Sequence, residues 1–170
     1  MLVYDNDLLA EWIGFMLGRK FLPPYQCIGV MRDNVLLATA LFNNFDWPNI
    51  EITFATTSPR WATRQAIARI LAYPFHELEC RRLTAITGRQ NRAARAFLLR
   101  LGFCEEGHHP ALFEHDDGVS YGLLKRDAQK WLEIFDVEST NTTSATQSLH
   151  DVGRRIEGEH CERHSERAAE

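Results

Sequence analysis

The sequence predicts a single α/β domain of mixed α+β type, built on a central twisted mixed sheet with helices on both faces. Three observations carry this. Short β-branched runs recur along the first 124 residues, two long segments between them show helical apolar spacing, and one helix sits between two strands in the manner of a crossover.

The elements follow in order. Asp7 to Gly18 carries Leu8, Leu9, Trp12, Ile13, Met16 and Leu17 at helical spacing, with Asp7 as the expected cap and Gly18 as the stop. Pro23-Pro24 breaks the chain. Cys27–Met31 and Val35–Phe42 are β-type runs around Arg32-Asp33-Asn34, which predicts an antiparallel hairpin. Asn43–Asn49 reads as a loop and Ile50–Thr56 as a third strand. A helix is expected from Arg60 or Trp61 to about Phe75. The next strand, Arg82–Thr87, should lie parallel to the third through a right-handed crossover. Asn91–Leu101 is a second helix, capped by Asn91 and stopped by Gly102. Phe103–Gly107 and Val119–Leu124 are strands separated by a turn at Asp116-Asp117-Gly118, and Asp127–Phe135 is a closing helix.

This gives a folded domain over residues 1–136. Residues 137–170 are polar and charged, with too little apolar surface to offset ordering entropy, and are expected as a disordered tail.

Composition narrows the function. Of 170 residues, 45% are hydrophobic and 25% charged, ordinary for a globular protein. No apolar run is long enough to cross a bilayer, and the first seven residues hold no basic residue. Four cysteines without a C-x-x-C pair read as reduced thiols and a cytoplasmic setting. The net charge of −4 hides a basic block: nine arginines against two acids between Arg60 and Arg100. Such a block suits a local anionic partner or a set of solvated helix faces.

Two units point to chemistry. In the first, strand Ile50–Thr56 runs into a helix N-terminus, whose free N–H groups and positive dipole end suit a phosphate. Arg60 and Arg64 flank that turn. The second is Asn91-Arg-Ala-Ala-Arg-Ala-Phe-Leu-Leu-Arg-Leu-Gly-Phe103-Cys-Glu-Glu-Gly107. An Asn-led helix running into Leu-Gly-Phe and then Glu-Gly resembles the late half of the GNAT acyltransferases. It is most similar to the branch with the ribosomal-protein N-terminal acetyltransferases. Val119-Ser-Tyr-Gly-Leu-Leu-Lys-Arg and Trp131 also match that branch, and the order of elements fits from about Gly29 to Trp131. Similar small proteins are encoded by phages and prophages.

The resemblance implies a GNAT fold in which Ile50–Thr56 and Arg82–Thr87 splay apart and acetyl-CoA enters the gap. Pantetheine would pair with the strand edge at Thr53, Phe54 and Ala55. The pyrophosphate would sit on the N–H groups of Trp61, Ala62, Thr63, Arg64 and Gln65, beside Arg60. Asn91 matches a position that contacts the pantetheine or the sheet. Glu51 stands where members often carry a base, against the alternative of a solvent-facing glutamate. Tyr121 is a candidate proton donor, against that of a packed core tyrosine.

Two departures mark this chain. The family's phosphate loop carries glycines, whereas Arg60-Trp-Ala-Thr-Arg-Gln-Ala66 has none, and the tyrosine often found seven residues after the Asn is Leu98.

His108, His109, His115 and Cys104 cluster in sequence, but adjacent strand residues face opposite sides, so no metal site is expected. Phe42, Phe45 and Trp47 are expected either at the acceptor site or packed on the first helix.

The reading is therefore acetyl transfer from acetyl-CoA to a primary amine of a protein or small molecule, with no membrane role and a homodimer left open. One alternative is a catalytically inactive module of the same fold that binds CoA or a protein partner. Another is a nucleic-acid-modifying or nucleic-acid-binding protein, which the net negative charge disfavours.

Overall fold

A computed structural model describes residues 1–140. The chain divides into two compact units, Met1–Ile134 and Phe135–Glu170. The second is described only as far as residue 140, and those residues are helical. The rest of the expected tail lies outside the described residues.

The first unit holds a seven-stranded sheet in the order β1-β2-β3-β4-β5-β7-β6. Its strands are β1 (Leu2–Val3), β2 (Gln26–Arg32), β3 (Val35–Asp46), β4 (Asn49–Thr56), β5 (Arg82–Gly88), β6 (Cys104–Phe113) and β7 (Asp116–Leu124). All neighbours are antiparallel except β4 and β5, which run parallel as the crossover requires. The mixed sheet with helices on both faces is the predicted class.

Asp33 and Asn34 close the β2–β3 hairpin, both at positive φ (50° and 61°), the backbone a tight two-residue hairpin turn requires. The segment expected as a loop, Asn43–Asn49, is mostly strand. β3 runs on to Asp46, which pairs with Asn49 across Trp47-Pro48. The β6–β7 turn falls at Glu114-His115, since Phe113 already pairs with Asp116. The acidic pair that signalled a turn instead accepts hydrogen bonds: Asp116 from Gln90 N and Asp117 from Ala111 N. β1 is only two residues long, too short to show a period.

Helix α1 (Asn6–Leu17) is capped by Asp5, whose carboxylate accepts from Leu8 N, so the cap lies two residues before the expected Asp7. Gly18, at φ 62°, ends it in the left-handed conformation. Helix α2 (Arg64–Ala72), by contrast, starts later than expected. Pro59–Trp61 is a 3₁₀ turn, and Thr63 caps α2 through a 3.2 Å bond from Ala66 N to its hydroxyl. The cause is Trp61, whose ring is 4% exposed: burying it turns the chain before the helix can begin. A π-helical turn, Tyr73–Glu77, ends α2, and Pro74 within it offers no N–H to continue the ladder. Helix α3 (Arg92–Leu101) is capped by Asn91 and stopped by Gly102 at φ 109°, as expected.

Strand alternation sorts the core into two layers. One face carries Ile50, Ile52, Leu83, Ala85, Tyr121 and Leu123 against α2, α3 and the helical residues 129–134. The other carries Cys27, Leu41 and Ala55 under Leu9, Ala10 and Ile13 of α1. α1 packs on β2, β3 and β4, and further along that face Ile86 of β5 is 38% exposed. The sheet thus has one face covered along β2–β5 and β7 and one covered only under α1.

Candidate active site

β4 and β5 pair for only three rungs: Asn49 with Arg82, Ile50 with Leu83, and Glu51 with Thr84. Both strands continue, β4 bonded to β3 and β5 bonded to β7. A gap therefore opens in the sheet after Glu51 and Thr84. Thr57 N–H donates to Leu37 O at 2.9 Å, which fixes the alternation along β4. Residues 55 and 53 turn their backbone groups to β3, and Phe54 turns its N–H and C=O into the gap.

Above the gap on the covered face sit three aromatic rings. Phe54 stacks on Trp61 with centroids 5.7 Å apart, Phe97 meets Phe54 edge-on at 5.7 Å, and Trp61 and Phe97 are 5.4 Å apart. They tie β4, the 3₁₀ turn and α3 together. Phe97 was not singled out in the sequence, where it reads as one more apolar helix position.

Five N–H groups were expected to be free for a phosphate, and the fold spends two of them. Ala62 N donates to Pro59 O and Thr63 N to Trp61 O. Among the described residues, those of Arg64 and Gln65 meet no protein acceptor at the α2 start. The Arg60 and Arg64 side chains beside them are exposed. Asn91 caps α3 by accepting from Ala94 N at 3.1 Å, which occupies its carbonyl oxygen and leaves its NH₂ for other partners.

Glu51 and Thr53 are half-buried on the partly covered face. Glu51 accepts from Asn44 Nδ2 at 3.0 Å, and the Oδ1 of Asn43, its β3 partner, is buried without a hydrogen bond. Beside it, Thr84 donates to Asn49 Oδ1 at 2.7 Å and accepts from Arg82 Nε at 3.1 Å. Arg82 also holds Glu106 in a bidentate ion pair.

Tyr121 is fully buried on the opposite, covered face. Its hydroxyl accepts from Arg95 Nε at 2.9 Å and donates to Glu105 Oε2 at 3.0 Å, and Arg95 closes the ring with Glu105 at 3.1 Å. Burial raises the phenol's pKa, the hydrogen bond from Arg95 opposing it. The bond from Tyr121, then that from Arg95, hold Glu105 below the usual carboxylate range. Neither Arg95 nor Glu105 stood out in the sequence, because their link spans a helix and a strand. Leu98 is a core residue at 4% exposure.

The three histidines diverge. His108 lies 3.1 Å from Asp117 Oδ2, His109 lies 2.9 Å from Ser120 Oγ, and His115 is exposed beside Glu114. Among the described residues no three His, Cys, Asp or Glu side chains gather as a metal site. Cys27 and Cys80 are buried free thiols and Cys104 is exposed, and burial pushes the Cys27 thiol up to about 12. Phe42 is a core residue tilted against Tyr73, whereas Trp47 lies under the Arg81 guanidinium at 5.0 Å, and Phe45 is 53% exposed. No described helix is long and apolar enough to cross a membrane.

Comparison with known proteins fits this geometry. The model of the acetyltransferase (GNAT) family matches residues 3–103. No curated protein matches the sequence. A solved structure described as a probable acetyltransferase is similar at 28% identity and a TM-score of 0.52, over 60% of this chain and 62% of that one. Mutant forms of the spermidine/spermine N-acetyltransferase SpeG from Vibrio cholerae align at 14% identity and a TM-score of 0.63, over 76% of this chain and 97% of that one. A dodecameric spermidine N-acetyltransferase from Vibrio cholerae aligns at 15% identity and 0.59, over 78% and 95%. At such identity the last two show the fold alone. With its family model spanning more than half of the residues and its sheet split after Glu51, the chain belongs to the GNAT acetyltransferase family.

Proposed function

We propose that the chain transfers an acetyl group from acetyl-CoA to a primary amine by direct attack, without an acyl-enzyme. The observation that carries this is the gap between β4 and β5, with the Phe54 backbone turned into it and two unspent N–H groups at the start of α2. The pyrophosphate binds Arg64 N–H and Gln65 N–H, where the dipole end and the Arg60 and Arg64 guanidinium groups add positive charge. The pantetheine arm runs along β4 beside Thr53, Phe54 and Ala55 and passes the Asn91 amide. Trp61 forms the wall of that channel, and Ala62 and Thr63, whose N–H groups are spent, lie behind it. A backbone N–H of β4 in the gap polarises the thioester carbonyl as its oxygen gains charge.

The amine approaches from the partly covered face, where Glu51 takes the proton that the amine nitrogen sheds as the new N–C bond forms. Tyr121 was the proposed acid. With its hydroxyl donating to Glu105 and its ring buried, we assign it to holding α3 against β7, and the departing thiolate takes its proton from water. The acceptor class to try first is the polyamines, which two of the similar structures are named for.

The test is thermal unfolding with acetyl-CoA, followed by turnover with an amine panel. Donor at about a hundred times its Kd adds roughly 2.7 kcal/mol of stability. CoA release is read by chromatography, because the exposed Cys104 would react with a thiol dye. Binding with no turnover of any amine would leave the inactive CoA-binding module as the answer, and no binding would remove both.

A further inference from the structure

β6 and β7 carry a pair of proton-handling groups that the reading above leaves unused. His109 Nε2 lies 2.9 Å from Ser120 Oγ. Ser120 pairs with Ile86 of β5 and His109 with Gly118 of β7, so both project on the sheet face that carries Glu51 and Thr84. Both are half-buried.

The backbone is shaped for this pair. β6 slips register between Glu105 and Gly107. A Cβ at Gly107 would stand 2.8 Å from Ser120 Oγ and 3.3 Å from His109 Nε2. Glycine leaves the space in which the imidazole lies back along its own strand to reach the hydroxyl.

Its place in the register matters as much. Glu51 and Thr84 form the last rung before the gap, and the next residue on that face of β5 is Ile86, whose β7 partner is Ser120. Glu51 therefore stands on one side of the gap and Ser120 on the other, one strand beyond it. The other charged groups on this face of the neighbouring strands are Arg82 and Glu106, which neutralise each other, and Asp116, whose Oδ2 accepts from Gln90 N. Asp117 is taken up by His108, Arg89 and Ala111 N.

We propose that Ser120 and His109 form a proton relay for the acceptor amine, a step that rests on the acetyltransfer reading. An ammonium N–H bond breaks as its proton passes to Ser120 Oγ. The hydroxyl proton passes to His109 Nε2, which needs the tautomer protonated on Nδ1, and the resulting imidazolium releases its Nδ1 proton to water. The neutral amine then attacks the thioester. The relay matters only while the amine is protonated in bulk. Its signature is thus a dependence on pH that a structural role would lack.

The experiment measures kcat/KM for spermidine with saturating acetyl-CoA from pH 7 to 10, alongside lysine and a short peptide with a free N-terminus. His109→Gln keeps the hydrogen bond to Ser120 but takes no proton. It and Ser120→Ala should lose about 100-fold at pH 7, a deficit that shrinks toward unity near about pH 10 as free amine accumulates. Ser120→Thr should keep most of the activity, and acetyl-CoA affinity should be unchanged throughout. A deficit that is constant with pH, or none, would overturn the relay while acetyl transfer stood. A native chain that acetylates no amine would overturn the acetyltransfer reading and the relay with it.

Discussion

Arg64→Pro separates the backbone of the donor site from its side chain. Arg64 is the first residue of α2, where proline is tolerated because the N–H has no helical acceptor. The residue before a proline must be extended, and Thr63 already is, at φ −74° and ψ 155°. The substitution thus deletes one N–H and one guanidinium without disturbing the helix. Arg64→Ala deletes the guanidinium alone. An exposed charge is worth about 0.3–1 kcal/mol, so Arg64→Ala should weaken acetyl-CoA binding roughly two- to fivefold. A hydrogen bond to a charged group is worth about 1.5–3 kcal/mol, so Arg64→Pro should lose a further ten- to hundredfold. Calorimetric titration of both variants, with their melting temperatures beside native, reads the difference. If Arg64→Pro binds as Arg64→Ala does while staying folded, the N-terminus of α2 is not where the phosphates sit.

Three further outcomes are expected. Glu51→Gln should lower kcat/KM for the amine about 100-fold with acetyl-CoA affinity unchanged, read by steady-state kinetics and titration; equal losses in both would make Glu51 structural. Trp61→Ala should cost about 3–5 kcal/mol in denaturant unfolding, since the ring is buried between Phe54 and Phe97, and a loss under about 1 kcal/mol would show that the three rings do not anchor the turn. Glu105, Glu106 and Asp117 all have pKa values lowered in the fold, by the Tyr121, Arg82 and Ala111 N hydrogen bonds respectively. A lowered carboxylate contributes stability above its unfolded value, about 4, and loses it as pH falls through the folded value, so stability should drop below about pH 4 and Glu105→Gln should flatten that drop.

The sequence carried the fold wherever one local signal sufficed. Alternation in Ile50–Thr56 placed Glu51 and Thr53 on one face and Ile52 and Phe54 on the other, as observed. Asn91 and Gly102 bounded α3 correctly because capping and left-handed stops are local chemistry. Boundaries failed where a distant partner decided them. α2 starts late because Trp61 is buried against α3 and β4, and the β6–β7 turn moves because Asp116 and Asp117 serve backbone groups elsewhere. The site was legible only in outline. Resemblance led to the N–H groups after β4, but which of them a 3₁₀ turn would consume depends on where that ring packs. The Arg95–Tyr121–Glu105 ring and the His109–Ser120 pair join residues 10 to 26 apart, and no single-sequence period connects them.

In the proposed reaction acetyl-CoA occupies the gap between β4 and β5 with its phosphates on α2. The most direct test of this placement is an amide-resolved NMR titration of the native chain with acetyl-CoA. The largest shifts should fall at the amides of Phe54, Arg64 and Gln65. Shifts that leave those amides unmoved and gather instead around Arg89, Arg92 and His115, at the cavity between the α3 start and the β6–β7 turn, would contradict it.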